Sequence, residues 1–427
     1  MKRIGVIGYG GRIRGMLWQM DRFHPDDIRV TAIADPRVDE VREQARQDGR
    51  PVESIRFYAD ADRMLEAEDL DGVMIGTRCS LHTRYAVPVL KRNWPLFLEK
   101  PVCTNEADWR RLYAAWKRSK SPVIVSFPLR VTAHLRLVER LILSGEIGRV
   151  HHVQAWNNVP YGDCYYLDWY RDEGETQGLF LQKATHDFDY LTRVLGLRPI
   201  RVAAMTAKLV YRGPMKAGLT CSDCSLQEEC PESPFHRFFS RGLADEVART
   251  SRRRCGFAVD TGNEDSGSAL VEYETGMHVA YSQNFFARRG AGARGARFFG
   301  YKGTLEFDWY TNEVRLFYHH QTRSSVHTIE PGKAGHGGGD AILAWNFLQI
   351  VRGEADSVAP LSAGLLSARM CLRAKESAAT RRFCEINLPD DLKPDRAVFR
   401  DRMYNHELFR HVVEEAETKG EQQKGKA

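Results

Sequence analysis

No stretch of this 427-residue chain approaches the roughly 18 unbroken apolar residues of a membrane-spanning helix. Met1-Lys2-Arg3 runs directly into Ile4-Gly5-Val6-Ile7-Gly8, with neither an apolar signal core nor a small-residue cleavage site, so a cytoplasmic location is expected. Charge of one sign is scarce as well. Sixty-two Lys and Arg against 56 Asp and Glu leave a net +6 and no basic arm, which points to neither nucleic acid nor a membrane as partner. Repeats and biased segments are absent, and 43% hydrophobic with 28% charged residues exclude a disordered or fibrous chain. The length suits two or three domains at roughly 100–200 residues each. Cysteine is sparse and odd in number, nine in all. Five of them (Cys79, Cys103, Cys164, Cys371, Cys384) lie scattered in apolar surroundings, as reduced thiols do in a reducing compartment.

Short β-branched apolar runs are what the first third does contain: Ile4 to Ile7, Val30 to Ala34, Gly72 to Gly76, Leu96 to Leu98 and Val123 to Phe127, alternating with amphipathic stretches. That alternation predicts βαβ units and a parallel sheet in a domain over residues 1–126. Apolar residues at three and four spacing predict a connecting helix over Thr132 to Leu143. From Val150 the period becomes two (His151 to Trp156, Ala269 to Tyr273, Val279 to Ser282), with one helical run from Phe180 to Leu195. The second domain, 127–390, is therefore expected to be α+β on a largely antiparallel sheet, an α/β chain overall. Residues 212–264, with Pro214, Pro231, Pro234 and Arg252-Arg253-Arg254, read as an insertion, and 414–427 as a disordered tail.

Gly8-Tyr9-Gly10-Gly11-Arg12-Ile13-Arg14-Gly15 follows the first strand and opens a helical stretch. In a Rossmann turn the first glycine allows the bend, the second lets backbone N–H groups approach a pyrophosphate, and the helix N-terminus receives it. Ile13 stands where the third fingerprint glycine belongs, so a ligand-free glycine turn is the alternative. Asp35, 27 residues after Gly8, closes the second strand at the distance of a ribose-binding carboxylate that favours NAD over NADP. Arg37 could instead hold a 2′-phosphate, and Asp35 could simply form the turn before Pro36.

The strand Leu96-Phe97-Leu98 ends in Glu99-Lys100-Pro101. Proline biases Lys100 to an extended backbone at the carboxyl edge of the sheet, where ligands of doubly wound folds bind. Beside a cationic nicotinamide a lysine favours its neutral form and can accept a hydroxyl proton as hydride leaves the same carbon. A strand-end salt bridge of Glu99 is the structural alternative.

Gly8-Tyr9-Gly10, Asp35, Gly76-Thr77 followed by His82, and Glu99-Lys100-Pro101 together resemble the glucose-fructose oxidoreductase, inositol dehydrogenase and rhizopine-catabolism (Gfo/Idh/MocA) family over roughly residues 1 to 385. The resemblance implies an N-terminal Rossmann domain and a C-terminal domain whose open sheet forms a homo-oligomer interface. It places Gly8, Gly10, Gly11, Arg12, Ile13, Asp35, Arg37, Thr77, His82 and Glu99 around the cofactor, and Lys100 and His186 as catalytic pair. Gln182 takes the place of the family's aspartate four residues before the histidine; that spacing would set Gln182 and His186 on one helix face. Lys183 and Asp189 are the nearby candidates for the missing carboxylate's work. Arg130, Trp156, Gln182, Lys183 and His336 are expected at the substrate, with Asp340 as a helix N-cap. Tyr161, Tyr165, Tyr166 and Trp169 add an aromatic segment of which half should be core.

The expected activity is hydride transfer between NAD, or NADP, and a secondary alcohol of a sugar, polyol or derivative. A redox glycosidase using NAD transiently and a non-catalytic nucleotide sensor are the alternatives. Cys221-x2-Cys224-x5-Cys230-Pro231 with Cys255 lies in the insertion, and close thiolate pairs suit a structural zinc or an iron–sulfur cluster as well as plain reduced thiols.

Overall fold

The computed structural model describes residues 1–23, 25–238, 252–330 and 335–394. The expected tail, 414–427, lies outside the described residues. Six parallel strands, β1 (Lys2–Ile7), β2 (Ile28–Ala34), β3 (Arg56–Tyr58), β4 (Gly72–Ile75), β5 (Leu96–Leu98) and β6 (Val123–Val125), form a sheet of order β3-β2-β1-β4-β5-β6. Sequence reading misses β3, because its three residues at the sheet edge show no apolar run. Strand order reverses between β1 and β4, and ligands of such sheets bind at the carboxyl ends beside that reversal. Ile7 is in register with Ala34 and Ile75, which aligns the turns carrying Gly8, Asp35 and Gly76 along one edge.

Nine strands make the second sheet. They are β7 (Val150–Asn158), β8 (Pro199–Ala207), β9 (Ser266–Tyr273), β10 (His278–Asn284), β11 (Ala293–Gly300), β12 (Gly303–Asp308), β13 (Glu313–Tyr318), β14 (Ser324–Thr328) and β15 (Cys384–Glu385). Only β7 and β10 pair in parallel; the other pairs are antiparallel, as period-two patterning predicted. One face carries Val153, Ala155 and Asn157 and is covered by the helix Thr185–Leu195, where Phe188 meets Tyr281 and Tyr190 meets Phe307. On the other face Met205, Leu270, Phe317 and Val326 are exposed.

Thr132 caps the connecting helix Ala133–Leu143 by accepting from Leu135 N. Two later helices change the linear division of the chain. Gly339–Arg352 returns to the first sheet, where Phe347 contacts Phe97 and Trp345 contacts Phe23. Leu361–Thr380 lies between the sheets: Trp109 Nε1 donates to Leu365 O from one side, and Ser377 Oγ accepts from Ala204 N on the other. Buried apolar residues of both sheets accordingly form one continuous core. Among the described residues no helix is long and apolar enough to cross a membrane.

Candidate active site

Gly8 sits at φ +82°, and a Cβ there would lie 2.9 Å from the Gly76 and Thr77 backbone, so both conformation and space demand glycine. Around Gly11 the space is open to 4 Å among the described residues. The helix Gly11–Asp21 has no side-chain cap and no acidic residue in its first turn. Its first internal bond runs from Arg14 N to Gly10 O, which leaves the N–H groups of Gly11, Arg12 and Ile13 without helical partners. Open space against uncapped donors at a helix start fits a pyrophosphate. The missing third glycine also finds its explanation. Gly76 faces Ile13, and a Cβ on it would come within 2.1 Å of the Ile13 side chain. Helix and strand thus still pack closely, with the glycine moved to the strand.

Asp35 and Arg37, expected to compete, are partners. Asp35 accepts from Tyr9 N (3.2 Å) and Arg37 N (3.1 Å), and its carboxylate pairs with Arg37 Nε at 3.2 Å. A carboxylate has about four lone-pair sites, so a ribose hydroxyl would share this group with an arginine that is half exposed and also paired with Glu40.

Glu99 forms a salt bridge, as the structural alternative held: Arg12 Nε reaches it at 2.9 Å while Arg12 Nη2 reaches Asp340 at 2.7 Å and Ser126 Oγ at 2.9 Å. The Arg12 side chain and Glu99 therefore tie the nucleotide turn to the returning helix, which corrects these two side chains as direct cofactor contacts. His82 is buried too, with Nδ1 2.7 Å from Pro101 O and Nε2 3.2 Å from Thr77 O. It joins the loop after β4 to the loop after β5. Thr77 Oγ1 donates to Arg78 O at the rim of that cleft.

Lys100 precedes Pro101 through a cis peptide bond and donates from Nζ to Gln182 O at 3.0 Å. Burial lowers its pKa, and the nearby Lys183 and Arg12 charges lower it further, against the opposing pull of Cys79 and Glu99. His186 is buried against Phe127 with ring centroids 5.6 Å apart, and its Nδ1 has no hydrogen-bond partner among the described residues. Burial, then Lys100, Arg294 and Lys183, holds its pKa well below the ordinary histidine value, so the ring is neutral. Lys183 reaches Tyr161 Oη at 2.6 Å, and its ammonium lowers the Tyr161 pKa. Lys100 and Lys183 thus both act on His186.

Gln182 lies in a π-helical turn, Phe180–Ala184. The Gln182 side chain turns to Thr176 O (3.0 Å) and Cys79 Sγ (3.5 Å), and only its carbonyl meets Lys100. Arg130 is 2% exposed and held by Asp189 at 3.0 Å and Val358 O at 2.9 Å. That ion pair occupies both residues, correcting Arg130 as a substrate ligand and Asp189 as a stand-in carboxylate. Trp156 alternates with the inward Ala155 and Asn157, so it faces the opposite side of β7 and donates to Asp308 at 2.9 Å. Asp340 is not an N-cap. It lies inside the first turn, where His336 Nδ1 (2.9 Å) and Arg12 overcome burial and hold its carboxyl well below the usual range. His336 is held at Asp340 by that contact and remains exposed. Tyr165 and Tyr166 belong to a small core with Tyr211 and Phe285, whereas Trp169 lies under Arg78 at 4.0 Å and Tyr161 is 47% exposed.

Sequence reading missed Arg78, Cys79 and Arg294. The first two follow β4 at the carboxyl edge, a position that could have drawn attention to them. Arg294 showed no signal: it pairs with Asp187 at 2.8 Å inside a buried network with Asn157 and Tyr281, and leaves Nη2 without a partner among the described residues.

Cys221, Cys224, Cys230 and Cys255 line one cavity with Leu167 and Phe257. Burial, then Cys255, Cys230 and Cys224, pushes the Cys221 thiol up to about 12. Among the described residues, no three His, Cys, Asp or Glu side chains stand ready to hold a metal ion, so the expected coordination is not preformed.

Residues 2–127 match the family described as "Oxidoreductase family, NAD-binding Rossmann fold", and residues 135–306 match "GFO/IDH/MocA C-terminal domain". YteT of Bacillus subtilis (strain 168), named as an oxidoreductase, is 30% identical over 67% of this chain and 74% of its own length. Myo-inositol 2-dehydrogenase of Thermotoga maritima is 30% identical over 51% of this chain and 61% of its length. Among solved structures, levoglucosan dehydrogenase in complex with NADH and levoglucosan superimposes with a TM-score of 0.70 over 91% of this chain and 100% of that one, at 17% identity. With a Rossmann sheet, a glycine turn built for a pyrophosphate and both domains matched, the chain belongs to the Gfo/Idh/MocA family of NAD-binding oxidoreductases.

Proposed function

We propose that the chain transfers hydride between a nicotinamide and a secondary-alcohol carbon of a sugar, polyol or sugar derivative. The observation that carries this reading is Lys100, anchored at Gln182 O, lowered in pKa, and set beside a neutral His186 with an unpartnered Nδ1. The N–H groups of residues 11–13 would hold the pyrophosphate of the dinucleotide, and Asp35 a ribose hydroxyl, which favours NAD over NADP. A bound nicotinamide supplies the hydride acceptor in oxidation and the donor in reduction. In oxidation Lys100 Nζ takes the hydroxyl proton while the carbinol C–H bond breaks, leaving a ketone; in reduction Lys100 returns that proton to the carbonyl oxygen. His186 Nδ1 and Arg294 Nη2 are buried polar atoms left to bind substrate oxygens, since an unmet buried group costs about 1–3 kcal/mol. Lys183 and Tyr161 form a polar pair at the mouth, suited to further hydroxyls. The inositol and levoglucosan dehydrogenases among its relatives support a polyhydroxylated ring as substrate class. A second copy of the chain over the exposed Met205, Leu270, Phe317 and Val326 would complete the assembly, and light scattering after gel filtration tests it.

Sugars, inositols and sugar acids incubated with NAD or NADP, and read by absorbance of the reduced cofactor, test the activity. Failure of every alcohol to reduce either cofactor overturns it. Cleavage of a glycoside without net reduced cofactor would instead reveal a redox glycosidase.

A further inference from the structure

The insertion contains a group of cysteines that hydride transfer does not use. Cys221 N donates to Arg253 O at 2.8 Å and Cys255 N to Leu219 O at 2.7 Å, on either side of an antiparallel bridge between Thr220 and Arg254. In such a ladder residue 221 lies opposite 253, so Cys221 and Cys255 are diagonal neighbours on one face. The chain then turns twice. Cys224 N donates to Cys221 O at 3.4 Å and Cys230 N to Leu226 O at 2.9 Å, and the four side chains line one cavity of about 20 Å³. That volume admits one water-sized occupant, since about 10–15 Å³ is the minimum for one.

We infer that Cys221, Cys224, Cys230 and Cys255 bind a single zinc ion that locks the insertion onto the wall of the substrate cleft. Four thiolates are the soft ligand set of closed, tetrahedral structural zinc. Their side chains draw in onto the ion by rotation about single χ1 bonds, with loss of four thiol protons to solvent. The complex carries a net charge of about −2.

What the ion would fasten is specific. Arg254 N donates to Leu167 O at 3.0 Å, Arg253 pairs with Asp163 at 3.6 Å, Arg171 with Asp260 at 2.7 Å, and Tyr211 stacks on Tyr166 at 3.7 Å. All four contacts land on the segment 161–171 that bears Tyr161 and Trp169. Removing the ion loosens that wall and leaves the glycine turn untouched. Zinc binding stands independently of the substrate reading; only the effect on substrate KM rests on it.

The test uses the full chain purified from zinc-supplemented medium and freed of loose metal. Expected are close to one zinc per chain, release of that zinc when an organomercurial titrates the thiols, and at least about ten-fold slower amide exchange over 212–230 and 252–264 with zinc than after chelation. Cys224→Ser and Cys255→Ser lose the zinc, Cys230→His retains it, and Cys384→Ser is the neutral control. NADH binding, measured on each variant, reports an intact first domain and should not change. Zinc below a tenth of an equivalent, with all four thiols alkylated at full rate in the native protein, overturns the proposal. So does iron with acid-labile sulfide, or a disulfide within the group. A zinc-loaded protein whose substrate KM is unmoved by chelation keeps the ion and overturns the clamp.

Discussion

The two walls of the cleft are built by different means. On the first sheet, position comes from backbone: Gly8 at positive φ, an uncapped helix start, Gly76 giving way to Ile13, and the aligned ends of β1, β2 and β4. On the second, position comes from side chains locked in pairs: Asp187 with Arg294 and Asp189 with Arg130, both buried, and Lys183 with the half-exposed Tyr161. A backbone wall accepts a ligand common to many enzymes and depends on few residues. A side-chain wall can be refitted pair by pair, which suits the surface that chooses a substrate.

If this contrast is right, the largest effect follows from the residue between the walls. Lys100→Met should lower turnover about 10²–10⁴-fold with NADH affinity unchanged in a fluorescence titration. A companion pH profile sharpens it. Because burial lowers the Lys100 pKa, kcat/KM for alcohol oxidation should rise with pH through that lowered value and level above it. Ketone reduction needs the protonated amine and should fall over the same interval. A limb at an ordinary lysine pKa, about 10.4, would show that the lysine titrates as if in water. Next comes Arg130→Ala, which removes the cation facing a buried carboxylate and should cost about 3–5 kcal/mol of stability in urea unfolding. The surviving folded enzyme should keep its substrate KM; a KM shift without a stability loss would restore Arg130 to the substrate site.

On the backbone wall, Gly76→Ala should destabilise by about 1–3 kcal/mol through overpacking against Ile13. Adding Ile13→Ala should recover part of the loss, a coupling of about 0.5–3 kcal/mol in a double-mutant cycle. Strict additivity would mean that the two residues do not share the contact. The smallest effect is expected at Asp35 and Arg37. Asp35→Ala should narrow the preference for NAD over NADP roughly ten-fold, and Arg37→Ala should free Asp35 and tighten NAD slightly, both read by paired titrations. Weakened NAD in Arg37→Ala would show that the arginine itself supports the cofactor.

The same contrast explains what was legible beforehand. Gly8, Gly10, Asp35 and Glu99-Lys100-Pro101 could be read in order because each lies at a strand end, where a few consecutive residues fix both shape and chemistry. His186 and Lys183 emerged through the family resemblance, and burial lowers the pKa of both Lys100 and His186. Arg130 and Trp156 misled. Polar type and chain position say nothing of a partner 59 residues away, such as Asp189, or of which face a strand residue takes. Gln182 turns its side chain to Thr176 and Cys79, partners that no periodicity reveals. The short β3 escaped because three edge residues carry too little pattern. The insertion was visible only as composition, and its cysteines converge through backbone pairing between residues 219–221 and 253–255.

The return of helix Gly339–Arg352 to the first sheet also governs how the protein can be made. Val125 N, on β6, donates to Ala359 O at 2.7 Å, and Arg12 finds Asp340 only after more than three hundred intervening residues. During synthesis the nucleotide-binding unit emerges first and is completed last, since its apolar flank stays bare until residues beyond 339 have left the ribosome. All of the second sheet but β15 is, in topological terms, a long loop spliced into the first domain. A fragment ending near residue 127 should therefore expose Phe97 and Trp109 to water and aggregate, whereas a deletion confined to the second sheet that rejoins 127 to 339 would preserve the unit's own core.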